Sequence, residues 1–149
     1  MKKHIKKILV ITLMLCLSVT SVFSVSAANI PENEIMPLYN NTKVVRTYCN
    51  VNDNGLLTIS YNVDGYSDKT TKIVITTYVE KKVLGLFWDR VDNGKPNDEW
   101  VDTIYNYKYN DTRTFSLSST GKYRVNVTYK IYGSGGSADN VPYQAEVTY

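Results

Sequence analysis

The chain has 149 residues, with 17 Lys and Arg, 14 Asp and Glu and a single His, for a formal net charge of +3. Four of the lysines and His4 lie within the first seven residues, and every acidic residue lies after residue 27, so the remainder carries 13 basic against 14 acidic side chains. This net charge of −1 argues against nucleic acid or an anionic bilayer as a partner. Because no histidine remains after residue 27, that part of the chain cannot form a Ser-His-Asp or Cys-His catalytic site or a zinc site with a histidine ligand.

Residues 1–27 have the pattern of a secretory signal peptide. Basic residues come first, Ile8 to Leu17 form an apolar stretch, and Val25-Ser26-Ala27 provides small residues for cleavage. We expect the mature chain to begin at Ala28 and to be secreted, either released or loosely associated with the cell wall. No later apolar stretch reaches the ~20 residues of a membrane span.

Residues 28–42, with two prolines, predict an extended N-terminal segment, and residues 43–149 predict one domain of β-strands. Lys43 to Val51 is the first strand. Because Val45, Thr47, Cys49 and Val51 alternate on one face, we expect Cys49 to be a buried thiol, with an intermolecular disulfide as the alternative.

The next strands show the same period of two. Leu57, Ile59, Tyr61 and Val63 predict the inward face of the second strand, and Ile73, Ile75, Thr77 and Val79 that of a third strand over Lys72–Lys82. Gly85 predicts a bend before a strand over Leu86–Val91.

The loop Asp92–Glu99, which contains Pro96, has the strongest turn signal in the chain. Strands are then predicted over Trp100–Tyr109, Thr112–Leu117, Lys122–Tyr132 and Tyr143–Tyr149, with a flexible Gly-Ser tip over Gly133–Ser137. About seven or eight short strands without helices predict an all-β, antiparallel β-sandwich.

Short sequence elements carry a resemblance to known proteins. Ser119-Thr120-Gly121-Lys122-Tyr123-Arg124-Val125 resembles a turn-into-strand of immunoglobulin-like and fibronectin-type domains, in which the tyrosine packs at a corner between sheets. Together with the leader and the segments Ile35–Thr42, Thr70–Ile73 and Glu80–Lys82, it is similar to small secreted Gram-positive (Firmicute) proteins of unassigned function. The resemblance implies an immunoglobulin-like β-sandwich and a secreted protein, and it supplies no activity to carry over to this chain.

Acidic residues cluster around the loop Asp92–Glu99. Asp89, Asp92, Asp98, Glu99 and Asp102 are of the type that forms the carboxylate pair of a glycosidase, and Asp92, Asn93, Asn97, Asp98 and Glu99 are of the type that binds calcium. The spacing does not match an EF-hand loop, and we interpret the cluster as solvated turn and strand-end residues that keep a β-edge from pairing with other chains. We predict no catalytic residue, no metal and no cofactor.

Tyrosine is unusually frequent, with 13 residues, all after the leader. Tyr105, Tyr107 and Tyr109 would share one face of the strand Trp100–Tyr109, with Trp88 and Trp100 close in sequence. Such side chains suit partly wet interfaces and sugar rings, although β propensity and core packing are the alternative explanation. We predict ligand contacts at Trp88, Trp100, Tyr105, Tyr107 and Tyr109.

These observations favour a secreted, non-enzymatic binding domain that contacts a cell-surface glycan or protein. A bacteriocin-like or toxin-like antagonist of neighbouring cells and a structural component of the cell envelope are the alternatives. The sequence does not specify the ligand or the oligomeric state.

Overall fold

Within residues 39–149, alternating apolar and polar residues produce eight β-strands, with one turn of 3-10 helix at Pro96–Asp98. The strands are β1 Thr42–Val51, β2 Leu56–Gly65, β3 Thr70–Val83, β4 Phe87–Arg90, β5 Trp100–Ile104, β6 Lys108–Ser116, β7 Lys122–Gly133 and β8 Asp139–Thr148. The computed structural model describes residues 39–149, which belong to one compact unit. The predicted signal peptide and residues 28–38 of the predicted extended segment lie outside the described residues, and Thr42, predicted as the end of that segment, is the first residue of β1. Within residues 39–149, no helix has the length and apolar character needed to cross a membrane.

The strands form two antiparallel sheets, which confirms the predicted all-β sandwich. One sheet has the order β1-β2-β6, and the other has the order β4-β3-β7-β8 with β5 also paired to β3. The 14-residue strand β3 pairs with β7 along one edge, while its other edge pairs with β5 over Ile73–Thr77 and with β4 over Glu80–Val83. The five-stranded sheet therefore has a split edge, and the loop 91–99 lies between the two pieces.

The core lies between the sheets and follows the predicted alternation. All four apolar residues predicted to point inward from β2 are buried. Their partners from the other sheet include Ile73, Ile75 and Val79 on β3 and Val125, Val127 and Ile131 on β7. Burying each such side chain contributes about 1.5–3 kcal/mol, which makes this period-two pattern the main source of stability.

Two buried tyrosines link the sheets through their hydroxyl groups. Tyr129 on β7 is hydrogen-bonded to Thr47 on β1 at 2.5 Å, and Tyr61 on β2 is hydrogen-bonded to Thr77 on β3 at 3.0 Å. The two rings meet edge to face, with centroids 6.4 Å apart. Burial raises the pKa of both hydroxyls, so both stay neutral, and each has the partner that a buried polar group requires.

Cys49 is buried, as predicted. Burial raises the pKa of its thiol to about 12, and the influence of the neighbouring Tyr143 side chain offsets this only in part. A protonated, enclosed thiol is a poor nucleophile. The position favours a packing role for Cys49 over an intermolecular disulfide.

The Gly-Ser tip predicted to be flexible is held against the start of β1. The Asn41 side chain donates to the carbonyl of Ser137 at 3.0 Å and accepts from the backbone N–H of Gly135 at 3.1 Å. A Cβ atom at Gly135 would clash with the carbonyl oxygen of Asn40. Glycine is required here because two backbone segments approach closely.

The β3–β4 hairpin ends in a tight turn at the predicted bend. Leu84 and Gly85 have φ values of 51° and 69°, and the N–H of Leu86 donates to the carbonyl of Val83 at 3.0 Å. Two successive residues with positive φ are typical of a type I′ hairpin turn, in which Asn-Gly is the favoured pair. Here a leucine occupies the position that asparagine usually takes.

Candidate binding face

The five predicted contact residues do not lie on one surface. Trp88 lies on β4 and points outward from the five-stranded sheet, opposite Lys82 of β3. Trp100 begins β5 and is only 8% exposed. The two tryptophans therefore have different surroundings, although they are only twelve positions apart in sequence.

Trp100 closes the core at the side where β5 and β6 meet. Its ring packs edge to face on Phe115, with centroids 5.2 Å apart, and the Arg113 guanidinium lies 5.3 Å from its centroid. Arg113 of β6 also forms a 2.7 Å ion pair with Asp102 of β5, which joins the two sheets. The contacts of Trp100 are those of a packing residue.

The prediction that Tyr105, Tyr107 and Tyr109 share one strand is wrong. β5 ends at Ile104 and β6 begins at Lys108, so Tyr105 and Tyr107 lie in the connection that crosses between the sheets. The Asn106 side chain accepts from the N–H of Tyr107 at 2.7 Å, a local contact that competes with strand pairing. Tyr105 is 81% exposed, whereas Tyr109 packs partly on the core and donates to Asp111 at 2.8 Å.

The outward face of the five-stranded sheet has an excess of positive charge. The pairing register places six cationic side chains on this face and two carboxylates, Glu80 and Glu146. The cations are Lys72, Lys82, Arg90, Lys122, Arg124 and Lys130. We call this surface the basic face, and its charge contrasts with the net charge of −1 for the chain after residue 27.

Three aromatic rings of the basic face each contact cations. The Arg90 guanidinium lies 3.6 Å from the ring centroid of Tyr78, and the Lys72 ammonium lies 4.1 Å from that of Tyr132. Trp88 lies between Lys82 at 5.4 Å and Arg124 at 4.5 Å. Such contacts contribute about 0.5–1 kcal/mol each at exposed sites and hold the long cationic side chains close to the sheet.

Glu80 organises the polar groups at the centre of the basic face. It accepts from Arg124 and from the Asn126 side chain, each at 2.7 Å, and Asn126 in turn accepts from Gln144 at 2.6 Å. Burial raises the pKa of Glu80, but the hydrogen bonds from Arg124 and Asn126 outweigh it, and the pKa lies below its ordinary value. A shallow depression of about 380 Å³ lies beside this network, lined by Tyr78, Asn126, Thr128, Pro142 and Gln144 among others.

Contacts within the loop 91–99 engage its acidic and amide groups. The Asp92 carboxylate accepts from the N–H of Gly94 at 2.8 Å, the Asn93 side chain accepts from that of Lys95 at 2.9 Å, and Glu99 is ion-paired with Arg90 at 2.9 Å. In the part of the chain that the structure describes, no three His, Cys, Asp or Glu side chains are grouped so that they could hold a metal ion. The calcium hypothesis has no geometric support in this loop.

A larger depression of about 530 Å³ lies beside this loop, and two of its lining residues are the carboxylates Glu99 and Asp102. Each of them is ion-paired with an arginine, Glu99 with Arg90 and Asp102 with Arg113. The first ion pair connects the loop to β4, and the second connects β5 to β6 across the two sheets.

Comparison with known proteins adds no family to this picture. No protein-family model matches the chain, and no curated protein matches it either. Function is therefore inferred from the residues themselves.

Sequence reasoning missed most of the basic face. Lys72 and Lys130 are separated by 58 positions, and only the pairing of β3 with β7 brings them to the same ring, that of Tyr132. The sequence does contain evidence for the basic face, because cationic residues alternate with apolar residues along β3 and β7. The near-zero net charge of the chain after residue 27 hides this local excess of cations.

Proposed function

We propose that the chain is a secreted, non-enzymatic binding domain whose basic face binds an acidic glycan of a cell surface. The observation that carries the proposal is the segregation of charge, with six cations on this face against its two carboxylates and the Glu99 side chain that pairs with Arg90. A chain whose overall charge is near zero attracts polyanions only if its cations are gathered in this way. Of the five predicted contact residues, Trp88 belongs to this face.

The aromatic rings favour a sugar polymer as the anion. Tyr78, Trp88 and Tyr132 supply apolar ring surface beside guanidinium and ammonium groups, which suits sugars that carry carboxylate, sulfate or phosphate. The polar network of Glu80, Asn126 and Gln144 supplies further groups that can pair with hydroxyls. A flat sheet face with a shallow depression suits an extended chain better than a small molecule, which needs a deeper cleft.

The test is an array of acidic and neutral glycans, probed with the mature chain beginning at Ala28. We expect binding to acidic glycans only, with affinity that falls as salt increases. The double variant Lys72→Gln/Lys130→Gln is expected to weaken binding about tenfold, since loss of about 1.4 kcal/mol gives that factor. Lys108→Gln, on the opposite sheet, is the matched control and should bind as the parent does.

Two outcomes would contradict the proposal. One is the absence of binding to every acidic glycan on the array. The other is binding of single-stranded or duplex DNA at the same affinity as the best glycan, because that would indicate a general polyanion surface without recognition of sugars.

A further inference from the structure

The turn between β3 and β4 presents a group of apolar side chains to solvent. Leu84 is 83% exposed, Leu86 is 81% exposed and Phe87 is 52% exposed. Within residues 39–149, no other run of four residues exposes three large apolar side chains. We call Leu84–Phe87 the apolar tip.

The apolar tip projects away from the body of the sandwich. A Cβ atom added at Gly85 would have no other atom within 4 Å. The hydrogen bond from Leu86 to Val83 and the paired strands below it hold the turn in one conformation. The apolar groups are therefore fixed in a protruding position, and Leu84 holds a left-handed conformation that leucine rarely adopts.

Cationic side chains lie directly behind the apolar tip. Lys81 and Lys82 precede it on β3, and Lys122 lies at the start of β7 beside Tyr123, the pairing partner of Lys81. Lys81 donates to the Ser119 hydroxyl at 2.5 Å, which places its ammonium at this end of the molecule. Asp89, opposite Lys81, is the one acidic residue of β4.

Trp88 follows the apolar tip directly. Its ring lies 5.4 Å from the Lys82 ammonium. The apolar side chains protrude, and Lys81, Lys82 and Trp88 lie one to three positions behind them in sequence. This order matches the layers of a membrane surface. Aliphatic groups enter the hydrocarbon edge, indole rings prefer the headgroup level, and ammonium groups meet lipid phosphates.

We propose that the apolar tip inserts into the surface of an anionic phospholipid bilayer, with Lys81, Lys82 and Lys122 contacting the headgroups. A bilayer accepts a protruding apolar group without a preformed cavity, and its negative charge complements the lysines. The net charge of −1 after residue 27 argues against an anionic bilayer as a partner. However, only the charges that lie within a Debye length of the bilayer surface, here those of the lysines behind the apolar tip, affect the interaction strongly. Lys82, Lys122 and Trp88 also belong to the basic face, but Lys72 and Lys130 lie outside the proposed lipid contact, so the variant Lys72→Gln/Lys130→Gln should weaken glycan binding and leave lipid binding unchanged.

The experiment uses the mature chain beginning at Ala28 and vesicles of phosphatidylglycerol mixed with phosphatidylcholine, or of phosphatidylcholine alone. We expect the protein to float with the anionic vesicles in a density gradient. Brominated lipids should quench tryptophan fluorescence, and Trp88→Phe should remove most of that quenching because Trp100 is buried.

Leu84→Asn/Leu86→Ser tests the apolar tip directly. Asparagine suits the left-handed turn, so this variant should fold while losing two apolar groups, and we expect its affinity for anionic vesicles to fall about tenfold or more. Val101→Thr removes an exposed apolar side chain on β5 and serves as the control. Lys81→Gln/Lys82→Gln should weaken binding and reduce its dependence on salt.

The proposal is overturned if the parent protein floats with no vesicles. It is also overturned if the variant Leu84→Asn/Leu86→Ser binds as well as the parent. Equal binding to vesicles of phosphatidylcholine alone would contradict the assignment to an anionic surface.

Discussion

Asp139 and Asn41 lie 98 positions apart in sequence, yet the backbone N–H of Asn41 donates to Oδ2 of Asp139 at 2.8 Å. The same carboxylate accepts from the N–H of Asn40 at 2.9 Å and from the Thr42 hydroxyl at 2.8 Å. Asp139 is buried and begins β8, so one enclosed carboxylate fixes the point at which β1 starts. Three donors around a carboxylate give the charge-assisted contacts that a buried acid requires.

We expect Asp139→Asn to lower the free energy of unfolding by about 2–3 kcal/mol, because an amide cannot accept all three hydrogen bonds and its NH₂ group opposes the donors. Urea denaturation followed by circular dichroism measures the change. Asp68→Asn, at an exposed turn position, is the control and should have little effect. Equal stability of Asp139→Asn and the parent would rule out this role of Asp139.

Thr47→Val and Tyr129→Phe each remove one side of a hydrogen bond between the sheets. Each single change should destabilise the fold by about 1–2 kcal/mol, because the remaining hydroxyl is left buried without its partner. The double variant should lose less free energy of unfolding than the sum of the losses of the two single variants. A double-mutant cycle in urea measures the coupling, and strictly additive effects would contradict it.

Cys49 should react slowly with thiol reagents in the folded protein. In a protein prepared from Ala28 onward it is the one cysteine, because Cys16 lies before that residue, so labelling with Ellman's reagent reports on it alone. We expect negligible labelling at pH 8 and complete labelling once urea unfolds the domain, because burial disfavours the thiolate. Rapid labelling of the folded protein, or a covalent dimer on a non-reducing gel, would show that the thiol is accessible.

The raised pKa of Cys49 also predicts a pH dependence of stability. The folded pKa of about 12 lies above the ordinary value of 9.0, so the folded state holds the proton more tightly. The stabilisation is complete below about pH 9 and is lost as pH rises from there towards 12. Cys49→Ala should show a shallower decline in the free energy of unfolding over this window, although buried tyrosines contribute to the decline in both proteins.

Trp100 and Trp88 should respond differently to truncation. Trp100→Ala removes a ring that closes the core, and we expect it to cost about 3–5 kcal/mol of stability. Trp88→Ala removes a ring from an outward face and should cost about 1 kcal/mol. Thermal unfolding of both variants separates the packing residue from the surface residue, and equal losses would contradict this division.

Leu84→Asn should stabilise the domain. Leucine in the left-handed region costs about 1 kcal/mol, a cost that asparagine largely avoids because its short side chain tolerates that conformation. Thermal unfolding measures the gain. Leu86→Asn is the control, because φ of Leu86 is not positive and no gain is expected.

The sandwich was predictable because its strands alternate clearly. Tyr123, Val125, Val127, Tyr129 and Ile131 are all buried, as the period of two requires. The break at Tyr105–Tyr107 was not predictable from propensity. Tyrosine favours strands, and no glycine or proline marks the crossing between the sheets.

The candidate face was predictable only in part. Trp88 was identified as an aromatic residue close to other aromatic residues in sequence, but the partners that define its surroundings, Lys82 and Arg124, depend on the pairing of three strands. The composition gives only the net charge of the chain. The charge of a binding surface depends on which charged side chains the strand pairing places on the same face. The close approach of Gly135 to Asn40 could not be predicted for the same reason, since it is a property of the folded chain.

The hydroxyl contacts of Tyr61 and Tyr129 have a mechanical consequence. Apolar contacts between the sheets are non-directional, whereas a hydrogen bond weakens steeply when its distance or angle changes. Two hydrogen bonds cross the interior between the sheets, one between Tyr61 on β2 and Thr77 on β3 and one between Tyr129 on β7 and Thr47 on β1. Both can form only when the two sheets are correctly aligned. A shift of one sheet over the other would have to break both bonds, so they add resistance to shear between the layers.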